Sequence, residues 1–341
     1  MADMPDPAHI LAIAPNWLGD AVMCTPALRA IKRRFPQSIL AVAGQPAVCA
    51  LLEGLPCIDR LHPLPSVRGL FALLSAAWTL AADAEDLAVL FPHSFRAALL
   101  ARLARAKRRI GYNRDNRRRL LTDAPEPYRE NGVITPVYMA REYLDLVAPL
   151  GCDDDGLGLE LAADPAERAA VRDRFAGDGP LVALAPGAAF GPAKRWPPER
   201  FAAVADALAA RCGARCALLT GPNEADTRAA VLAAAKSPLL EFSGGGISRL
   251  KAVLAESDLL VGNDSGPRHI AIAFGKPVVC VMGPTSPLYT DSPWEKGRLL
   301  RVDVDCGPCQ KPVCTTDHRC MTRITADAVV EAALPFLTKE P

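Results

Sequence analysis

The chain has 341 residues, enough for two domains of ordinary size, and its 50% hydrophobic and 23% charged composition is that of a globular protein. That mix excludes a largely disordered chain and a collagen-like one. A formal charge of +1, from 39 basic against 38 acidic residues, excludes a globally basic nucleic-acid binder, so no nucleic-acid partner is expected.

The first residues, Met-Ala-Asp-Met-Pro-Asp-Pro, lack a basic start followed by a long apolar run, and no secretory signal is expected. The longest uncharged apolar stretch, Gly69 to Ala82, falls short of the about 18 residues of a membrane span and runs into Asp83, Glu85 and Asp86. Eleven cysteines without an export signal point to reduced thiols in the cytosol.

In chain order, a strand is predicted over His9–Ala14, followed by the loop Pro15–Asp20 and a helix from about Ala21 to Arg34, closed by Pro36. Ile39–Ala43 and Leu87–Phe91 read as further strands. Their continuous apolar runs, alternating with helices, are those of parallel strands buried on both faces. The acidic, glycine-flanked stretch Gly151–Gly156 reads as a linker. The pattern then restarts. Strands are predicted at Leu181–Ala185, Cys216–Thr220, Asp258–Gly262 and Val278–Met282. Helices are predicted at Pro198–Arg211, Glu224–Lys236 and Pro267–Phe274, with another from Ile247. The expected fold is α/β with two doubly wound, Rossmann-like domains, residues 1–155 and 156–341, whose ligands lie at the C-terminal ends of the strands.

Three loops carry the chemistry. Pro186 to Pro197 leaves a predicted strand and precedes a helix. Its glycines allow close approach to an anion, and Lys194 and Arg195 bring positive charge to the same place. A diphosphate suits this composition; a proline-stiffened loop with surface charges suits it too. The second loop is Gly262-Asn263-Asp264-Ser265-Gly266-Pro267-Arg268-His269. Ser265 and Gly266 can present backbone N–H groups at a helix N-terminus, where a negative ligand is favoured. Asp264 has capping that helix as its structural alternative, and His269 has a place in the core. In the third loop, Gly19-Asp20, the carboxylate is either an N-cap or a general base that takes a proton from a hydroxyl.

Together these motifs resemble the lipopolysaccharide heptosyltransferases, the type II enzymes above all. The resemblance rests on Asn16-Trp17-Leu18-Gly19-Asp20 with Thr25-Pro26, on Pro186-Gly187-Ala188 with Phe190 to Pro197, and on Asn263-Asp264-Ser265-Gly266 with His269. Gly283-Pro284-Thr285-Ser286-Pro287 completes it. It runs in the right order from about Ile10 to Ile324. The resemblance implies a GT-B glycosyltransferase, two Rossmann-like domains facing across a cleft, with the acceptor held by the N-terminal domain and the nucleotide sugar by the C-terminal one. It implies an inverting reaction that needs no cofactor or metal, an ADP-heptose donor, and a heptosyl-Kdo acceptor on lipid A. Carried over, Asp20 is the base beside Gly19 and Lys194 is the diphosphate clamp. Asp264, Ser265, Gly266 and His269 line the donor site, Ser243 and Gly244 approach the nucleoside, and Glu224 reaches the ribose. Pro267-Arg268 departs from the family's usual Leu-Met, so that Arg268 is expected to add positive charge beside the phosphates and to bear on which sugar is accepted.

Two clusters lie outside these loops. From Arg96 to Arg119 ten basic residues face one acid, Asp115. With only Tyr112 as an aromatic, the run lacks stacking platforms for nucleic acid. It reads either as a solvated face or as contact with an anionic membrane or a phosphorylated glycolipid. Cys306, Cys309, Cys314, His318 and Cys320 fall within fifteen residues and offer either a structural metal site or free thiols. The expectation is a cytoplasmic glycosyltransferase, peripheral on the inner face of the cytoplasmic membrane. A GT-B transferase of another nucleotide sugar, and a nucleotide-binding membrane-surface protein without turnover, stay open beside it.

Overall fold

A computed structural model describes residues 6–65, 69–84 and 86–338; the side chain of Ser243 also lies outside the described part. The chain divides into two compact units, with the boundary between Ala162 and Ala163.

The first unit is built on a parallel five-stranded sheet of order β3-β2-β1-β4-β5. Its strands are β1 (His9–Ile13), β2 (Ile39–Gly44), β3 (Arg60–Pro63), β4 (Leu87–Leu90) and β5 (Arg108–Ile110). The central strands are buried along almost their whole length, as their unbroken apolar sequences require. The order reverses between β1 and β4, so the loops leaving these two strands flank the switch point. A short antiparallel hairpin, β6 (Arg129–Glu130) and β7 (Val133–Ile134), follows.

The helix expected from Ala21 to Arg34 is two helices, α1 (Leu18–Met23) and α2 (Thr25–Arg34), parted at Cys24. Pro26 has no N–H for the Val22 carbonyl, which instead accepts a 2.8 Å bond from Thr25 Oγ1. The helices α3 (Pro46–Leu52), α4 (Leu70–Leu80), α5 (Phe95–Leu103) and α6 (Met139–Val147) complete the unit. Leu73, Ala76, Ala77 and Leu80 of α4 join the core against β1, β2 and β4. The stretch read as a linker is docked rather than free. Arg29 of α2 holds Asp155 with two 2.7 Å bonds and reaches Glu160 at 3.0 Å, which moves the division from residue 155 to 162.

The second unit has a six-stranded parallel sheet of order β10-β9-β8-β11-β12-β13. Its strands are β8 (Leu181–Ala185), β9 (Arg215–Thr220), β10 (Leu239–Ser243), β11 (Leu259–Asn263), β12 (Val278–Met282) and β13 (Gly297–Arg301). Here the switch point lies between β8 and β11, which pair in register Leu259↔Val182 to Gly262↔Ala185. Around the sheet stand α7 (Pro165–Arg174), α8 (Pro198–Cys212), α9 (Ala225–Ala234), α10 (Gly246–Glu256), α11 (Gly266–Ala273), α12 (Arg319–Thr322) and α13 (Ala326–Ala333). Trp196 and Phe201, edge to face at 5.1 Å, anchor the core beneath the Pro186–Pro197 loop. Each unit is therefore a doubly wound α/β domain. No described helix is long and apolar enough to cross a membrane.

Candidate functional site

Open parallel sheets take ligands beyond the carboxyl ends of their strands, at the switch point. In the second unit that place is where the Pro186–Pro197 loop leaves β8 and Asp264 leaves β11. Asn263, almost fully buried, stitches the two together. Its side-chain oxygen accepts from the Trp196 N–H at 3.1 Å and its amide donates to the Pro186 carbonyl at 2.7 Å.

This brings Lys194 onto Asp264. The lysine Nζ donates to Asp264 Oδ2 at 2.6 Å and to the Asp264 carbonyl at 3.0 Å, while lying 5.3 Å from the Phe190 ring centre. The other carboxylate oxygen accepts from Arg268 Nη1 at 2.9 Å, and Thr285 Oγ1 donates to Oδ2 at 2.9 Å. Burial pushes the Asp264 carboxyl up, but the charges of Lys194 and Arg268 outweigh it and hold it well below the usual carboxylate range. Asp264 therefore stays ionised and fully bonded. It does not cap α11, whose N-cap position is Ser265.

Arg268 corrects one expectation. Its guanidinium is wholly buried and fork-bonded to Glu295, at 3.0 Å and 2.5 Å, besides its bond to Asp264. Two carboxylates neutralise it, so it contributes no free positive charge beside a phosphate. Its role is to hold Asp264 in place from behind. Glu295 and Thr285, which complete this network, carry no local sequence signal as partners, because they stand 27 and 21 residues from what they bind.

His269 is buried, and burial followed by the neighbouring Arg268 charge presses its imidazole down to about 3. It is neutral at physiological pH, so it cannot serve as a countercharge to phosphate. Its Nδ1 and the Ser265 hydroxyl are buried polar atoms without a hydrogen-bond partner among the described residues. Ser265 stands in extended backbone immediately before Gly266 and α11, whose N-terminus favours an anion.

The flanking loops close around the same edge. Glu224, which precedes α9 without capping it, accepts from the Gly221 N–H at 2.7 Å. A Cβ at Gly187 would lie 1.9 Å from the Glu224 carboxylate, so any larger residue there would push that carboxylate aside. Ser243 ends β10, and Gly244, Gly245 and Gly246 follow with φ of 85°, 83° and 68°, a run of left-handed residues that glycine alone adopts freely. Thus Lys194, Glu224, Ser243, Gly244, Asp264, Ser265, Gly266 and His269 all belong to strand-end loops or the first turns of helices along one edge of one sheet.

The cysteine-rich segment packs over this edge. Pro312 O accepts from the Ala193 N–H at 3.0 Å, His318 Nε2 bonds the Ala193 carbonyl at 2.7 Å, and Gln310 N–H reaches Pro284 O at 2.9 Å. Cys306, Cys309, Cys314 and Cys320 line one small cavity of about 60 Å³. All eleven cysteines are unbridged, and among the described residues no group of three or more His, Cys, Asp and Glu is gathered closely enough to hold a metal ion.

In the first unit, Gly19 and Asp20 lie within α1, beyond the end of β1 and at that sheet's switch point. The helix begins two residues earlier than Asp20 and its N-cap is Trp17, with no side-chain cap bond. Asp20 is therefore not the N-cap residue of α1; it is the acidic residue of that helix's first turn. Sequence reasoning did not single out His93, which follows β4 across the same switch point. Its ring meets Glu142 at 2.8 Å and Arg114 Nη1 at 3.0 Å.

The basic run is not one solvated face. Arg117 is completely buried, donates to the carbonyls of Tyr112, Ser94 and Pro92, and is lowered by burial to about 10. Arg109 likewise donates to Leu120 and Ala106 carbonyls, and Arg108 is paired with Asp123. Anchored by Arg117, the turn above it carries Asp115 and Asn116 in left-handed conformation. That turn lines an open polar cavity of about 660 Å³ with Arg114, Arg118, Arg119 and, from the hairpin, Arg129. Among the described residues Arg118 and Arg119 form no ion pair.

Comparison with known proteins places these sites in context. Residues 74–319 match the family model described as glycosyltransferase family 9 (heptosyltransferase). The chain is 29% identical to lipopolysaccharide heptosyltransferase 2 of Salmonella typhimurium, over 97% of this chain and 99% of that one. It is 29% identical to lipooligosaccharide heptosyltransferase 2 of Haemophilus influenzae, over 86% and 88%. Among solved structures, the glycosyl transferase family 9 protein of Veillonella parvula superposes with a TM-score of 0.87 at 22% identity, over 98% of this chain and 99% of that chain. The E. coli ADP-heptose lps heptosyltransferase II superposes at 0.79 and 25% identity, over 96% and 98%.

Proposed function

The chain belongs to glycosyltransferase family 9, and on that premise we propose that it moves heptose from ADP-heptose to the heptosyl-Kdo inner core of lipopolysaccharide, inverting the anomeric carbon. It is a glycosyltransferase of the GT-B type, with two doubly wound domains in one chain.

The observation that carries the donor assignment is the pairing of Lys194 with Asp264 beside the unpartnered Ser265 hydroxyl at the head of α11. An ammonium with two of its three hydrogens on Asp264 keeps one for a diphosphate oxygen. The helix N-terminus and the Ser265 and Gly266 positions supply uncharged donors to the same anion. As the bond to ADP breaks, charge grows on the diphosphate, and these preset donors stabilise it without a metal. In this reading Ser243 and Gly244, farther along the strand ends, approach the nucleoside and Glu224 reaches its ribose. Asp264, whose carboxylate is fully bonded, acts by positioning, and His269 lines the same site as a neutral imidazole.

Asp20 takes the proton from the acceptor hydroxyl, whose oxygen attacks opposite the leaving ADP. Gly19 adjoins it in the first turn of α1. The arginine-lined cavity of the first unit suits the carboxylates and phosphates of a Kdo-bearing lipid A. An acceptor of that kind places the enzyme in the cytoplasm, peripheral on the inner face of the membrane. The test is ADP release from ADP-heptose with and without the Kdo-containing acceptor. Acceptor-dependent release is expected, whereas thermal stabilisation by UDP and not by ADP would overturn the donor.

A further inference from the structure

Helix α4 presents a surface that the transfer reaction does not use. One side of it, with Leu73, Ala76, Ala77 and Leu80, is buried in the core. The other leaves Leu70, Phe71, Leu74 and Trp78 exposed at 64%, 89%, 44% and 86%. Phe71, Leu74 and Trp78 recur at helical spacing and form one apolar stripe, and no charged residue occurs from Gly69 to Ala82. A water-facing stripe of this kind marks a contact surface.

The surroundings select the partner. Helix α5 packs beside α4 and carries Arg96 and Arg102 on its exposed positions. From Leu87 to Arg114 the chain has no acidic residue. The nearest described acids are spoken for: Asp83 is buried against Arg60 and His62, and Asp86 holds the N–H groups of Ala8 and His9 and the Lys107 ammonium. An apolar stripe beside unneutralised arginines matches a bilayer with anionic headgroups. A second copy docked through the same stripe would bring like charges together.

We propose that α4 is the membrane-docking element, lying in the bilayer interface with Phe71, Leu74 and Trp78 in the acyl boundary while Arg96 and Arg102 meet anionic headgroups. At 11 residues the helix is about 16 Å long, so it lies flat and does not span. The choice of a bilayer rests on the reading of a lipid-linked acceptor. It also moves the membrane contact from the whole basic run to α4 and α5, and leaves Arg118 and Arg119 to the acceptor.

The test is cosedimentation of the full chain with vesicles of phosphatidylethanolamine and phosphatidylglycerol, and with phosphatidylcholine alone. The wild type is expected to bind the anionic vesicles, and the Phe71→Ser/Trp78→Ser variant more than about tenfold more weakly. Both side chains are exposed, so an unchanged melting curve and unchanged transfer to a delipidated, Kdo-bearing oligosaccharide should accompany that loss. Arg96→Glu/Arg102→Glu should abolish the preference for anionic vesicles. Quenching of tryptophan fluorescence by brominated lipid should fall in Trp78→Phe, which keeps the apolar contact. Equal vesicle binding by wild type and the double serine variant would overturn the proposal. So would concentration-dependent dimerisation, abolished by the same variant, without vesicle binding. Failure of every heptose transfer alongside intact vesicle binding would count against the enzymatic reading alone.

Discussion

Lys194 Nζ lies 2.6 Å from Asp264 Oδ2, and the two groups join loops that are 70 residues apart in the chain. The aspartate is almost completely buried and the lysine nearly so. Such a pair contributes little net stability, because desolvation offsets the attraction, but losing one partner strands the other. Its value is orientation: it fixes the Lys194 ammonium against the β8–β11 switch point.

Lys194→Ala is therefore expected to weaken ADP binding by about 1.5–3 kcal/mol, the range for hydrogen bonds to charged groups. Adenosine, which lacks phosphate, should bind as before. Isothermal calorimetry with both ligands checks this; equal losses would mean that the loop had collapsed, and no loss for either would remove the clamp.

Asp20→Asn keeps shape and removes the carboxylate. Trp17, not Asp20, occupies the N-cap position of α1, and asparagine keeps a side-chain oxygen in the helix's first turn. Turnover should fall by about 10²-fold or more, with ADP affinity and melting temperature nearly unchanged. Turnover within about threefold of wild type would be too small an effect for a general base.

His269 makes stability depend on pH in a definite window. Its folded value, about 3, lies below its ordinary 6.5, so the unfolded chain binds the proton first. The stabilisation is complete above about 6.5 and is lost as pH falls from there towards 3. The slope is at most about 1.4 kcal/mol per pH unit. Asp264, also depressed, adds loss only below its ordinary 3.8. Urea melts between pH 7 and 4 should show the decline, and His269→Gln should flatten it.

The arginines of the first unit should separate by burial. Arg118→Ser/Arg119→Ser is expected to raise the KM for the Kdo-bearing acceptor and reduce its salt dependence, leaving the KM for ADP-heptose unchanged. Arg117→Met should instead lower the melting temperature, because the carbonyls of Tyr112, Pro92 and Ser94 lose their donor. Initial-rate kinetics at two ionic strengths, with a thermal melt for each variant, distinguish the two roles.

The sequence alone determined the repeating plan of the chain. Leu181–Ala185 and Val278–Met282 were legible to the residue, because a strand buried on both faces must be an unbroken apolar run between polar punctuation. The loops at the strand ends were legible too, since glycine and proline mark where backbone must bend near a ligand. The edge strands β3, β5 and β13 were not. Sequences such as Arg60-Leu61-His62-Pro63 and Arg108-Arg109-Ile110 pair on one side only and carry charge, so nothing local separates them from loop. Pro26 was visible, yet whether it would begin a helix or break one depended on the Thr25 hydroxyl taking over the Val22 carbonyl.

Tertiary structure alone decided the fate of the charges. Arg268 reads in the sequence as a cation next to a phosphate loop; its neutralisation by Glu295 exists only because the chain after β12 returns over α11. Among the ten basic residues from Arg96 to Arg119, two are buried on backbone carbonyls, and others pair with acids brought in from other parts of the chain. Apolar periodicity is a local property, set by which face each residue must show to the core. The partner of a charge is set by long-range approach, and one-dimensional spacing does not encode it.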